Sequence, residues 1–231
     1  MNRVALVIAR GGSKRIPGKN TRMFRGQPMI AWPLQAAQEA GVFDRIIVST
    51  DDTSTAVLAR HYGAEVPFER PAALADDHTT TADVARHALR WLEDEGQMPD
   101  TLCCIYGAAP FTRADDLRAG AQRLLEGWSF VVPVTDYGHP IQRALRRTED
   151  GGVEMIQPEN LLVRTQDLEP AYHDTGQWYW AWSTAWLNLS VPIFGPRTCA
   201  LILPRHSVQD IDTPDDWARA AWIHEMLERD A

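Results

Sequence analysis

Val4-Ala5-Leu6-Val7-Ile8-Ala9-Arg10-Gly11-Gly12-Ser13-Lys14-Arg15-Ile16-Pro17-Gly18-Lys19-Asn20 decides the reading of this chain. The apolar run Val4 to Ala9 has the length and composition of a short buried strand. The loop that leaves it carries three glycines and four basic side chains, Arg10, Lys14, Arg15 and Lys19. Glycine permits tight turns and close approach of backbone N–H groups to a ligand. Cationic side chains beside such a backbone, at the carboxyl end of a first strand, suit a bound triphosphate.

The charge balance localises that signal. The chain has a formal net charge of -8, yet no Asp or Glu precedes Glu39, while seven Lys and Arg residues do. A basic cluster confined to one loop of an acidic protein points to a small polyanion; a nucleic-acid binder presents a broader basic face. The loop is not a P-loop. Five residues separate Gly12 from Gly18-Lys19, and Asn20 stands where a metal-binding hydroxyl would be. No Gly-x-Gly-x-x-Gly fingerprint is present either.

The 231 residues suffice for a single α/β domain spanning 1–231, and 45% hydrophobic with 23% charged residues is a globular composition. No apolar run approaches the ~20 residues of a membrane span, so no membrane partner is expected. Cys103, Cys104 and Cys199 lack disulfide or metal spacing and read as thiols of a reducing, cytoplasmic compartment.

Strand-like and helix-like segments alternate along the chain. Strands are expected at Val4–Ala9, Arg45–Thr50, Thr101–Tyr106, Ser129–Val134 and Thr198–Leu203. Helices are expected from about Pro28 to Ala40, then at Thr53–Tyr62, Thr81–Glu95 and Ala114–Glu126, with a last one ending near Arg229. The alternation predicts a mainly parallel sheet with helices on both faces. It breaks over about 136–182, a stretch rich in Gly, Pro, Gln, His and aromatics that reads as an inserted lobe.

Asp210-Ile211-Asp212 is the best partner for the basic loop. Residues two apart in an extended segment share a face, so two carboxylates can meet one hard cation. Thr213 reads as a helix N-cap, with Pro214 at the first helical position. Asp51-Asp52 reads as the cap of the next helix. His173-Asp174 has the composition of an acid/base pair, but as sequence neighbours they need not bond each other. The cluster Trp178-Tyr179-Trp180 with Trp182 and Trp186 has the composition of a sugar-stacking wall, but most of its tryptophans read as core or subunit contact.

These segments resemble the cytidylyltransferases that activate acidic nonulosonic sugars. The match runs from Ala9 to Asn20, through Val48-Ser49-Thr50-Asp51-Asp52, Phe68-Glu69-Arg70-Pro71 and Leu74-Ala75-Asp76-Asp77, to Ser207-Val208-Gln209-Asp210-Ile211-Asp212-Thr213. Pro133–Tyr137, Pro140–Ala144 and Tyr172–Trp180 resemble the branch acting on pseudaminic acid more than the N-acetylneuraminate branch. The resemblance implies a Rossmann-like nucleotidyltransferase fold, a homodimer formed through the inserted lobe, and transfer of CMP from CTP to the sugar acid.

It further implies a nucleotide site of Ala9, Arg10, Gly11, Gly12, Ser13, Lys14, Lys19, Asn20, Arg70, Thr79, Thr80 and Thr81. Arg10, Lys14, Lys19 and Asp210 would be catalytic, and Asp210 with Asp212 would hold Mg²⁺. The sugar would meet Tyr106, Gln142, Arg143, His173, Gln177 and Tyr179. Tyr106 is a departure, standing where N-acetylneuraminate relatives carry Gln, so sugar contacts do not transfer there. CMP-N-acetylneuraminate and CMP-legionaminate synthesis are alternatives within the family. A metal-dependent glycosyltransferase and a non-catalytic nucleotide-binding module are alternatives outside it.

Overall fold

The apolar run before the basic loop becomes the central region of a sheet. The computed structural model describes residues 1–229, and its first strand, β1, covers Arg3–Ile8. Val4 to Val7 are fully buried, as in a strand covered by helices on both faces. β2 (Met23–Phe24) and β3 (Gln27–Pro28) form a small hairpin. There follow α1 (Ala31–Ala40), β4 (Arg45–Ser49), α2 (Thr53–His61), α3 (Thr81–Asp94), β5 (Thr101–Tyr106), α4 (Ala114–Leu124) and β6 (Phe130–Asp136). β7 (Leu145–Arg147) and β8 (Val153–Met155) make a second hairpin. β9 (Tyr172–Asp174), β10 (Trp178–Trp182), α5 (Ser183–Leu187), β11 (Thr198–Ile202) and α6 (Pro214–Arg229) complete the order.

Seven strands share one sheet in the order β11-β6-β10-β5-β1-β4, with β9 added on β6. β1 lies parallel to β4 and β5, and β6 parallel to β11. β10 runs antiparallel between β5 and β6, and β9 antiparallel to β6. Side chains alternate across the pleat. Ala5, Val7, Cys103 and Ile105 therefore pack with α1 and α4, whereas Val4, Leu6, Leu102 and Cys104 pack with α3. A third cluster joins Ile16 of the basic loop, Phe24 and Met29 to Ile211 and Ala220. This cluster docks the last helix beside the loop, and so positions the Asp210–Asp212 segment.

The structure departs from the sequence expectations at two elements. α1 begins at Ala31 rather than near Pro28, because Gln27–Pro28 is drawn into the hairpin. Pro33 is then the third helical residue, where no intrahelical N–H bond is required of it. The run Trp178–Trp182 is a central strand of the sheet rather than part of the lobe, and the stretch outside the sheet is 137–171. Trp178, Trp180 and Trp186 are buried in the core.

Candidate active site

The carboxyl ends of β1 and β5 open into a cleft of about 630 Å³. The basic loop forms one wall. Its course is fixed by Asn20 Nδ2 donating to the Arg10 carbonyl (2.9 Å) and by Gly11 N–H donating to Asp51 Oδ1 (2.9 Å). A Cβ on Gly11 would lie 2.8 Å from Asp52 Cβ, so only glycine brings the loop this close to the end of β4. Asp52 also caps α2 by accepting from Thr55 N–H (2.7 Å).

The segment before α6 forms a second wall, in contact with the loop. Ile211 is buried in the third core cluster, which leaves its neighbours Asp210 and Asp212 both lining the cleft. Lys19 Nζ donates to the Ile211 carbonyl at 2.6 Å and stands 3.6 Å from Asp212, while Arg15 pairs with Asp212 at 2.9 Å. Desolvation by the cleft walls raises the pKa of Asp210, and the Asp212 charge adds to it. Asp216 shares hydrogen bonds with Thr213 and so caps α6. Among the described residues no group of three or more His, Cys, Asp or Glu is arranged around one point for a metal.

The third wall comes from the segment between α2 and α3 and from the start of α3. Asp77 accepts from Arg10 (2.7 Å) and Lys14 (2.6 Å), and these two donors hold its carboxyl down at about 2. Arg70 is buried and donates to Ser49 Oγ at 3.0 Å and to the Ser49 carbonyl. Burial pushes its guanidinium down to about 10, which leaves it charged at neutral pH. Of the three threonines, Thr79 bonds Asp76 and Thr80 caps α3 with Asp83. Thr81 Oγ1 lies 2.6 Å from the Tyr106 hydroxyl at the cleft edge.

Arg10, Ser13, Lys14, Lys19, Asn20, Arg70, Thr79, Thr81, Tyr106, Asp210 and Asp212 thus line one cavity. Ala9 is buried beneath it, and Gly11, Gly12 and Thr80 contribute to its frame without lining it. Tyr179 is buried behind Tyr106, the two rings edge to face at 5.7 Å. Gln177 donates to the Ser207 carbonyl at 3.1 Å from within the core. Gln142 and Arg143 sit in the lobe and bond the carbonyls of Glu169 and Val163. His173 Nδ1 lies 2.8 Å from the Asp174 carbonyl, not its carboxylate. None of these five, Tyr179, Gln177, Gln142, Arg143 and His173, lines the cleft.

Ten lining residues were outside the candidate site, among them Arg15, Asp77, Asp174 and Gly107. Arg15 is one of the loop's four basic side chains, and Asp77 carries no local sign of its cationic partners Arg10 and Lys14, more than 60 residues away. The arrangement gathers Arg10, Lys14 and Lys19 with the carboxylates Asp210 and Asp212 around one cleft, and such cations can hold an oxygen-rich anion. Such preplaced charges stabilise negative charge that develops during transfer of a phosphoryl-type group.

Residues 4–177 match the family model described as cytidylyltransferase. The chain is 36% identical to the pseudaminic acid cytidylyltransferase of Campylobacter jejuni subsp. jejuni serotype O:2, covering 100% of both chains. It is 32% identical to the CMP-N,N'-diacetyllegionaminic acid synthase of Legionella pneumophila, over 98% of this chain and 97% of that one. The structure of CMP:2-keto-3-deoxy-manno-octonic acid synthetase complexed with CTP superposes with a TM-score of 0.70 at 17% identity, over 98% of this chain and 100% of the other. At that identity the likeness is one of fold.

Proposed function

The chain belongs to the cytidylyltransferase family, and from that premise we propose that this nucleotidyltransferase couples CTP to pseudaminic acid, a nine-carbon acidic sugar, releasing pyrophosphate. The observation that carries the reading is the gathering of Arg10, Lys14 and Lys19 with Asp210 and Asp212 around one cleft. Full-length likeness to enzymes named for nonulosonic acids supports the acceptor.

In this reading Arg10 and Lys14 exchange their Asp77 partner for the phosphates of CTP. Arg70 and the start of α3 border the cytidine. Lys19, fixed by the Ile211 carbonyl, holds the triphosphate against the carboxylate wall. The anomeric hydroxyl of the sugar attacks the α-phosphorus in line, and pyrophosphate leaves into the cationic loop. Asp210, in the cleft wall, takes the hydroxyl proton, as a general base must lie within reach of the proton that it removes.

The donor set fits a divalent cation such as Mg²⁺. Asp210 and Asp212 offer hard oxygen ligands, and with only two protein carboxylates the remaining ligands would be water and phosphate, the usual pattern for Mg²⁺. When bound, the cation would neutralise charge on the phosphates. A homodimer through 137–171 is supported by exposed apolar side chains there, including Leu145, Ile156, Leu161 and Leu162. No helix among the described residues is long and apolar enough to cross a membrane, and the account needs neither a membrane nor a nucleic acid.

Pyrophosphate release by the purified protein with CTP and Mg²⁺ tests the reading. Pseudaminic, N,N'-diacetyllegionaminic, N-acetylneuraminic and 2-keto-3-deoxy-manno-octonic acids are compared side by side. Preferred turnover of pseudaminic acid is expected. Preference for another acid overturns the acceptor, and no release with any acid overturns the reaction.

A further inference from the structure

Asp77 spends both of its carboxylate oxygens on the cations assigned above to the phosphates. Oδ1 accepts from Arg10 Nη1 at 2.7 Å and Oδ2 from Lys14 Nζ at 2.6 Å. Arg10 Nη1 also donates to the Asp76 carbonyl at 2.9 Å. Among the described residues Arg10 and Lys14 pair with no other carboxylate. Two oxygens of one anionic group, each held by a cation, is also what a phosphate offers to the same grip. Arg10 and Lys14 keep further N–H donors, but a carboxylate seated between them repels the charge those donors would hold.

Asp77 reaches the grip from a turn that is built without it. Asp76 Oδ1 accepts from His78 N–H (3.0 Å), from Thr79 N–H (2.7 Å) and from the Thr79 hydroxyl (2.7 Å). The chain is anchored on either side, by buried Arg70 before the turn and by the Thr80 cap of α3 after it. Between Pro71 and Thr80 no residue is buried. Bonds to Arg10 and Lys14, rather than core packing, thus join this strap to the basic loop, and they can break without unpacking the core.

We propose that Asp77 is a built-in competitor for the phosphates: it occupies the Arg10 and Lys14 grip in the free protein, is displaced with its strap by the triphosphate, and returns to expel pyrophosphate after transfer. The inference rests on the CTP reading of the cleft and names a control on that same site. A ligand that must first free its site binds more weakly, by the fraction of molecules in which the site is free. The same factor applies to the product, so the strap loosens pyrophosphate as it loosens CTP. Removing the competitor therefore tightens both, the opposite sign from removing a residue that contacts the substrate.

The test measures binding of CTP and of pyrophosphate by calorimetry, each with Mg²⁺ and without sugar acid, on wild type, Asp77→Asn and Asp77→Ala. Exposed ion pairs correspond to about 1.5- to 5-fold each, so loss of the two is expected to tighten both ligands by about 2- to 20-fold. The same substitutions are repeated in a Lys14→Met background, where one of the two pairs is already gone and the gain from Asp77→Asn shrinks. Loss of a negative charge acting only at a distance would give an equal gain in both backgrounds.

Unchanged or weaker binding in both Asp77 variants, tightening of only one of the two ligands, or an equal gain in the Lys14→Met background overturns the inference while leaving the reaction intact. A wild-type protein that binds neither CTP nor pyrophosphate overturns the functional reading, and this inference with it.

Discussion

Gly107 sits where the ends of β1 and β5 nearly touch, and replacing it with alanine tests how tightly fold and site are joined. A Cβ there would lie 2.8 Å from Ala9 Cβ, 3.1 Å from Asn20 Oδ1 and 3.1 Å from the Ile8 carbonyl. Two of these are a short side chain and backbone, which cannot swing away. The backbone at Gly107 is outside the left-handed region, so the effect is steric rather than conformational. Carbon atoms pack best at about 3.5–4.0 Å, so the strand ends must part by roughly 0.7–1.2 Å. The displaced groups are Ala9 and Asn20, and Asn20 holds the Arg10 carbonyl at 2.9 Å. The basic loop therefore moves with them. A displacement of about 1 Å in a positioning element can lower turnover about 100-fold. Overpacking destabilises by about 1–3 kcal/mol, which lowers the melting temperature by about 2–12 °C in a chain of this size. Pyrophosphate release and a thermal melt on Gly107→Ala read both effects. A variant with parental turnover and parental melting temperature refutes the reasoning.

Arg10→Ala removes a loop cation whose partner, Asp77, is exposed; turnover falls by about 100-fold or more with an unchanged melt, checked by kinetics beside calorimetry. Asp212→Asn is expected to raise the Mg²⁺ concentration needed for half-maximal rate or to abolish activity; a metal titration that superposes on wild type removes Asp212 from the metal site. Replacing Leu161 and Leu162, both exposed on the lobe, with Asp is expected to yield monomers by sedimentation, since the proposed dimer buries that surface. His224 is packed among Phe24, Trp32 and Phe111, and burial lowers its pKa despite nearby Glu228. The unfolded chain takes up the proton near pH 6.5 and the folded chain resists it. Stability therefore falls as pH drops below about 6.5, and His224→Phe flattens that fall in melts from pH 7.5 to 5.5.

The basic loop was legible because its signal is local: an apolar strand, then glycine and charge without acid. Asp52 and Thr213 were legible as caps for the same reason, since a cap acts on N–H groups two or three residues away. The strand Trp178–Trp182 was not. Buried on both faces, it shows no alternation, and its aromatics resembled the irregular stretch before it. The Asp210-x-Asp212 spacing could be read, but its pairing with Arg15 and Lys19 spans nearly the whole chain. That pairing depends on Ile211 and Ala220 docking α6 against Ile16. Asp174 was read only with His173 because its true partners, Gly176 and Tyr179, are set by a kink that one glycine allows.

The fate of the anomeric oxygen tests the central claim most directly. Pseudaminic acid labelled with heavy oxygen at its anomeric hydroxyl is incubated with CTP, Mg²⁺ and the protein, and both products are weighed by mass spectrometry. The account predicts that the label is retained in the CMP-sugar and absent from pyrophosphate, because the sugar oxygen attacks the α-phosphorus. Label lost from the CMP-sugar, or CTP consumed without a labelled CMP-sugar, would contradict it.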